Sequence, residues 1–166
     1  AMVMSWSVFP VVHAAEAVAA GATEIHMVGG LHPDLPFEFY LEMLEAIKDD
    51  RPRLHIKAFT AVEIDYFSEV AELSIERVVE RLKQAGLDSL PGGGAEILGE
   101  PVRAQLCAEK ISGERWLEVT ELVHNAGLRS NATMLFGHIE TAADRVDHLS
   151  KLRQLQDRTG GFQTFI

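Results

Sequence analysis

Three glycine-containing stretches carry the residue types from which a site for a small polar ligand is built. They are Pro91-Gly92-Gly93-Gly94-Ala95-Glu96, Gly29-Gly30-Leu31-His32-Pro33 and Phe136-Gly137-His138-Ile139-Glu140-Thr141, each placed after a short apolar run. Consecutive glycines let a backbone approach its partner closely, because no side chain stands between them. Gly92 to Gly94 could cradle a phosphate, a carboxylate or an adenosyl group in this way, or could simply make a tight turn. They lack the Lys-Ser/Thr of a P-loop and the spacing of a dinucleotide fingerprint. Glu96 could bind an amine or a ribose hydroxyl, or stand in the first turn of a helix and favour its dipole. His32 and His138 offer an acid, a base or a hydrogen-bond donor, or are merely exposed. A metal held by His32, His138 and Glu63 is a further arrangement, although no spacing such as HExxH fixes a chelating geometry.

The elements that must position these residues follow from periodicity. Ala14 to Ala20 favour a helix that Gly21 can end. Strands are expected at 24–28, 54–59, 87–90, 128–135 and 162–166. A helix near Pro36 carries Phe39, Tyr40, Met43, Leu44 and Ile47 at i, i+3, i+4 spacing. Thr60 and Glu63 have the capping-box spacing, and further helices are expected at 75–85, 95–107, 112–126 and 144–157, the last through Val146, Leu149, Leu152 and Leu155. Each helix returns to the next strand through a short turn, several containing glycine, whereas each strand leads into a longer, chemically richer loop. This is the pattern of successive βα units on a parallel sheet, in which functional groups gather at the carboxyl ends of the strands. A part of a (β/α) barrel, with about five parallel strands, fits best.

The strands add a second clue. His26, His55, Lys57, Arg129, Asn131, Thr133 and Gln163 alternate with Ile25, Met27, Leu54, Ile56, Ala132 and Met134. A parallel sheet covered on both faces would be apolar throughout, so one face is expected to meet a wet, ligand-lined lumen or plain solvent. His26 and His55 read as satisfied polar groups of the interior, and His13, His124 and His148, on helices, as surface or boundary residues.

Composition narrows the function classes. The 166 residues carry a formal charge of −10, with Asp and Glu scattered along the helices, which disfavours nucleic acid as a partner. No window approaches the roughly 18 apolar residues of a membrane span, and the first residues lack the basic region of a secretory signal, so a cytoplasmic protein is expected. The single cysteine, Cys107, excludes an intrachain disulfide and reads as a buried, inert thiol at a helix or helix end.

Five motifs, in order, resemble the aminofutalosine synthases, radical S-adenosylmethionine enzymes of menaquinone biosynthesis. Besides Gly29 to Pro33 they are Lys57-Ala58-Phe59-Thr60-Ala61-Val62-Glu63-Ile64, Ala85-Gly86-Leu87-Asp88-Ser89-Leu90 continuing through Glu96, Arg129-Ser130-Asn131-Ala132-Thr133-Met134-Leu135-Phe136-Gly137-His138-Ile139-Glu140, and Leu155-Gln156-Asp157-Arg158-Thr159-Gly160-Gly161-Phe162. The sister family of cyclic dehypoxanthine futalosine synthases shares much of this pattern. The resemblance implies a radical-enzyme barrel with S-adenosylmethionine and a 4Fe-4S cluster, in which a 5′-deoxyadenosyl radical adds to 3-((1-carboxyvinyl)oxy)benzoate. It implies that Gly29 and Gly30 meet the methionyl amino group, with Leu31 standing where the family has Glu. Thr133 to Glu140 then resembles the GxIxGxxE pattern, with Thr133 for the first Gly, Leu135 against adenine, and Gly137 and His138 following. Glu96 would lie near the ribose or methionyl group. By strand parity His55, Lys57 and Asn131 would line the lumen, where a cation suits a doubly carboxylated substrate, with His32, Gly93 and Gly94 also on the substrate side.

The departure is in the cysteines. The family holds its cluster with CxxxCxxC, which this sequence lacks, and Cys107 lies on the wrong unit to substitute. The expectations are a barrel truncated at both ends, with residues 1–13 an irregular or aberrant start and 14–166 its central part, inactive alone because the cluster does not bind. Open sheet edges would favour self-association. A non-catalytic adenosyl-binding module is the alternative from another class.

Overall fold

The structure is a computed structural model that describes residues 8–166. Helix α1 (Val8–Ala19) precedes β1 (Glu24–Met27), and α2 (Phe37–Asp50) leads to β2 (His55–Ala58). Two helices, α3 (Ala61–Val70) and α4 (Ile75–Gln84), separate β2 from the short β3 (Ser89–Leu90). After α5 (Glu100–Leu106) and α6 (Gly113–Asn125) come β4 (Arg129–Ala132), α7 (Ala142–Thr159) and β5 (Phe162–Phe165). The strands pair in chain order, β1-β2-β3-β4-β5, and every pairing is parallel. The sheet is that of a (β/α) barrel and is not closed among the described residues.

The register sorts the side chains by face. Glu24 pairs with His55, His26 with Lys57, Lys57 with Ser89, and Ser89 with Arg129. Residues in register point to the same side, so these polar groups share one face, while Ile25, Met27, Ile56, Ala58 and Leu90 lie on the other. That second face packs on the helices: Ile56, Leu44, Ile47, Ile64, Val78, Val79 and Leu82 are all fully buried. Each such aliphatic contributes about 1.5–3 kcal/mol through burial, which makes the helix–sheet interface the main source of stability. Tyr40, Phe59 and Phe67 join it as an aromatic cluster, with Tyr40 and Phe67 centroids 4.4 Å apart and Phe59 edge-on to both.

Several expectations are corrected. Residues 8–13 are helical and not irregular, since α1 begins at Val8; residues 1–7 lie outside the described residues. The helix expected over 95–107 starts only at Glu100, because Glu96 has φ 46° and residues 95–99 run as an irregular loop. The strand expected to reach 135 ends at Ala132. On α7, Val146 and Leu149 are exposed, and the buried stripe is His148, Leu152 and Leu155. His148 therefore belongs to the core face by its i, i+4, i+7 spacing. His124 is likewise buried, its ring between Thr159 Oγ1 (2.8 Å) and Ser130 Oγ (2.9 Å) and edge-on to Phe162. Its position eight residues after Trp116 puts it on the buried face of α6.

Candidate functional site

The loops that follow β1 to β4 meet at one end of the sheet, and buried side chains fasten them to one another. Glu63 makes the first link. Its carboxylate accepts from Thr60 N (2.8 Å) and Thr60 Oγ1 (2.9 Å), completing the capping box of α3, and also from Gly29 N (2.8 Å). One carboxylate thus caps a helix and holds the glycine pair after β1. Phe59, between β2 and that cap, has φ 61°, a costly conformation for a bulky residue. The aromatic cluster and the Phe59 N–H to Met27 carbonyl bond (3.2 Å) hold it there.

The glycine loop after β3 comes close chiefly to the protein itself. A Cβ on Gly92 would stand 2.0 Å from the Asn131 carbonyl oxygen, and one on Gly94 would stand 2.6 Å from Val62 Cγ2; both residues have positive φ. Gly93 sits against Thr60. The carbonyls of the loop accept from three neighbours: Gly92 O from Thr133 Oγ1 (2.9 Å), Gly93 O from Trp116 Nε1 (3.1 Å) and Gly94 O from Arg103 Nη2 (3.0 Å). Arg103, almost fully buried, also donates to Ala95 O, Ile97 O and Ile111 O, replacing the helical bonds that residues 95–99 do not make. Glu96 is not a first-turn carboxylate. It pairs with Lys110 at 2.6 Å, and its backbone carbonyl accepts from Leu135 N (2.8 Å).

After β4 the chain turns at Gly137. Glu140 accepts from Gly137 N (2.6 Å), His138 N (2.9 Å) and Arg145 Nε (3.0 Å). These donors, the Gly137 amide foremost, hold its pKa down at about 2. Leu135, Phe136 and Ile139 are exposed around this turn, and His138 is exposed beside them.

A cavity of about 400 Å³ opens where these loops meet, lined by Gly30, Leu31, Thr60, Glu63, Gly94 and Lys110 among others. His32 lies on a neighbouring cavity of about 360 Å³ with Gly29, Tyr40 and Phe59. The structure does not gather His32, His138 and Glu63: Glu63 is occupied by backbone donors, and among the described residues no group of three His, Cys, Asp or Glu side chains could hold a metal ion. On the polar face of the sheet, Glu24 lies 2.6 Å from His26, 3.2 Å from Lys57 and 3.4 Å from His55. The His26 hydrogen bond, then Lys57 and His55, lower its pKa. His55 also meets Ser89 Oγ at 2.7 Å, and Lys57 and Asn131 are buried.

The sequence does not single out Glu24, Arg103 or Lys110, and it places His148 at the surface or boundary, whereas the structure buries it. Glu24 shares strand parity with His26, which could have found it. Arg103 and Lys110 follow no motif or periodicity in the sequence, although their partners lie within the same connection between β3 and α6.

The resemblance implies two bound groups, S-adenosylmethionine and a 4Fe-4S cluster, and the residues present suit only the first. Glycine backbone open at Gly30 and Gly137, where a Cβ would meet nothing within 4 Å, and the exposed apolar Leu135 suit an adenosyl compound. The cluster does not fit. Cys107 is the sole cysteine of the sequence and is buried at the C-terminal end of α5.

Comparison with known proteins agrees with this geometry. The Radical SAM superfamily profile matches residues 11–152. The chain is 51% identical over 146 residues to the aminodeoxyfutalosine synthase of Thermus thermophilus, covering 88% of this chain and 39% of that protein. It is 44% identical to the 5-amino-6-(D-ribitylamino)uracil-L-tyrosine 4-hydroxyphenyl transferase of Methanopyrus kandleri, covering 92% of this chain and 42% of that one. The cyclic dehypoxanthine futalosine synthase of Streptomyces coelicolor is 45% identical, with 92% and 38% covered. The chain thus spans about two fifths of the length of these relatives. Among solved structures, the cobalamin-dependent S-adenosylmethionine radical enzyme OxsB shares the fold at a TM-score of 0.55 and 14% identity, over 96% of this chain and 23% of that one. With the family profile matched over residues 11–152, most of its length, the chain belongs to the radical SAM superfamily.

Proposed function

We propose that residues 14–166 form the central part of the barrel of an aminofutalosine synthase, carrying its cofactor and substrate loops. The observation that carries this reading is the 51% identity to an aminodeoxyfutalosine synthase, against up to 48% to the tyrosine transferases and 45% to a cyclic dehypoxanthine futalosine synthase. S-adenosylmethionine, when bound, supplies the 5′-deoxyadenosyl group that such enzymes add to 3-((1-carboxyvinyl)oxy)benzoate. In this reading Gly29 and Gly30 meet its methionyl part, Glu96 and Thr133 border the ribose side, and Leu135, Gly137 and His138 cover the adenine.

The substrate side is the polar face of the sheet. Lys57, beside His55 and Asn131, is the cation for a substrate carboxylate, and His32, Gly93 and Gly94 border the entrance. Because Glu24 already pairs with Lys57 at 3.2 Å, an incoming carboxylate must share or displace it, which makes Glu24 the internal competitor for the substrate. This chain holds no cluster cysteines, so it is expected to bind ligands without turning them over. No helix among the described residues is long and apolar enough to cross a membrane; a cytoplasmic location and a small-molecule substrate belong to the same proposal.

The test is calorimetric titration of the purified chain with S-adenosylmethionine, 3-((1-carboxyvinyl)oxy)benzoate, cyclic dehypoxanthine futalosine synthase substrate and L-tyrosine in turn. Binding of the first two, with the benzoate weakened about tenfold or more in Lys57→Gln, is expected. Preference for L-tyrosine or the sister substrate would overturn the assignment, and no heat with any of the four would remove the pocket itself.

A further inference from the structure

His148 is the least exposed polar residue of the core, at 0%, and no step considered so far uses it. Its ring is satisfied on both sides by backbone. Nδ1 lies 3.1 Å from Leu98 N, which can only donate, and Nε2 lies 2.9 Å from Thr133 O, which can only accept. The geometry therefore allows one neutral tautomer, with the proton on Nε2. Leu98 belongs to the loop after β3 and Thr133 to the loop after β4, whereas the imidazole comes from α7.

Around Thr133 the connection is threefold. Its hydroxyl donates to Gly92 O (2.9 Å), its carbonyl accepts from His148, and two residues on Leu135 N donates to Glu96 O (2.8 Å). Thr133 to Leu135 is thereby fastened along the glycine loop. The direction in which Leu135 leaves the backbone depends on these bonds. Truncating His148 would leave a buried N–H and a partly buried carbonyl without partners, on the two loops that border the site. Asp147 and Lys151 from α7 and Arg103 from α5 are the charged groups that face the ring.

We infer that His148 is a positioning residue: one buried imidazole sets the register between the glycine loop and the loop carrying Leu135, and so shapes the adenosyl side of the pocket. This rests on the proposed use of that pocket for S-adenosylmethionine, and the measurements below separate the two claims.

Asn at this position can place an acceptor near Nδ1 but has no donor for Thr133, while Gln can place a donor near Nε2. Hydrogen exchange of the unliganded chain should show the Leu135 amide losing protection by about tenfold in His148→Asn and clearly less in His148→Gln, with core amides such as Ile56 unchanged within about threefold. S-adenosylmethionine affinity should follow the same order. Equal Leu135 exchange in both variants and the unsubstituted chain, or losses that merely track Ile56, would overturn the inference. If the variants do not fold, the ring nitrogens of the unsubstituted chain decide it: an Nδ1-protonated or doubly protonated His148 at neutral pH contradicts the clamp. Loop exchange that responds as expected in a chain that binds no S-adenosylmethionine would leave the clamp standing and remove only the cofactor reading.

Discussion

Single side chains in this protein do more connecting than their types suggest. Glu63 serves a helix cap and the neighbouring glycine pair together, Arg103 supplies four carbonyls, and His124 and His148 each join three elements from the interior. The buried histidines have a measurable signature. Burial lowers the His124 pKa to about 4, against an ordinary value of 6.5. Between those values the unfolded chain takes up a proton that the folded chain refuses. Stability should therefore be level above about pH 7 and fall as pH drops from 6.5 towards 4, by roughly 3 kcal/mol for this group. Burial lowers the His148 pKa too, adding to the same slope. Urea denaturation across this range is the measurement, and His124→Gln should flatten the curve; an unchanged slope in that variant would contradict the assignment.

At the scale of elements, helix starts do unequal work. Both α3 and α7 open with capping boxes, Thr60 with Glu63 and Thr141 with Asp144. The box at Thr141 is exposed and serves its own helix, so Thr141→Ala should cost about 1 kcal/mol. The box at Thr60 has a third partner in Gly29 N, and Glu63 is buried. Glu63→Ala should thus cost about 2–3 kcal/mol, because the partly buried donors of Gly29 and Thr60 lose their acceptor, and should also loosen the loop after β1. Thermal melts of the two variants give the ranking; a larger loss at Thr141 would refute this account of Glu63. Sequence spacing announced the Thr60 box plainly. It could not announce Gly29, which is 34 residues away and meets Glu63 only because β1 and β2 are neighbours.

At the scale of the molecule, β1 and β5 are the edges of the sheet among the described residues. Edge strands offer unpaired backbone donors and acceptors, so the chain on its own should self-associate with rising concentration. Sedimentation velocity over a hundredfold range of about 1–100 μM tests this, and one species at the monomer mass throughout would exclude it. The lines that join the four loops run across the top of the sheet, from Glu63 through the glycine loop to His148, and only the whole arrangement brings them within hydrogen-bond distance.

The amino-acid sequence by itself determined the alternation of strands and helices, the parallel sheet, the polar face through His55 and Lys57, and the loops at which a site would form. These depend on local periodicity, on glycine and on capping residues, all of which act over a few positions. Tertiary structure alone decided that Gly92 and Gly94 are required by Asn131 and Val62, that Glu96 pairs with Lys110, and that residues 95–99 are a loop held by Arg103. It also decided that His124 and His148 are interior. A polar residue on an amphipathic helix is ambiguous until its face meets a partner, and those partners arrive through contacts distant in sequence.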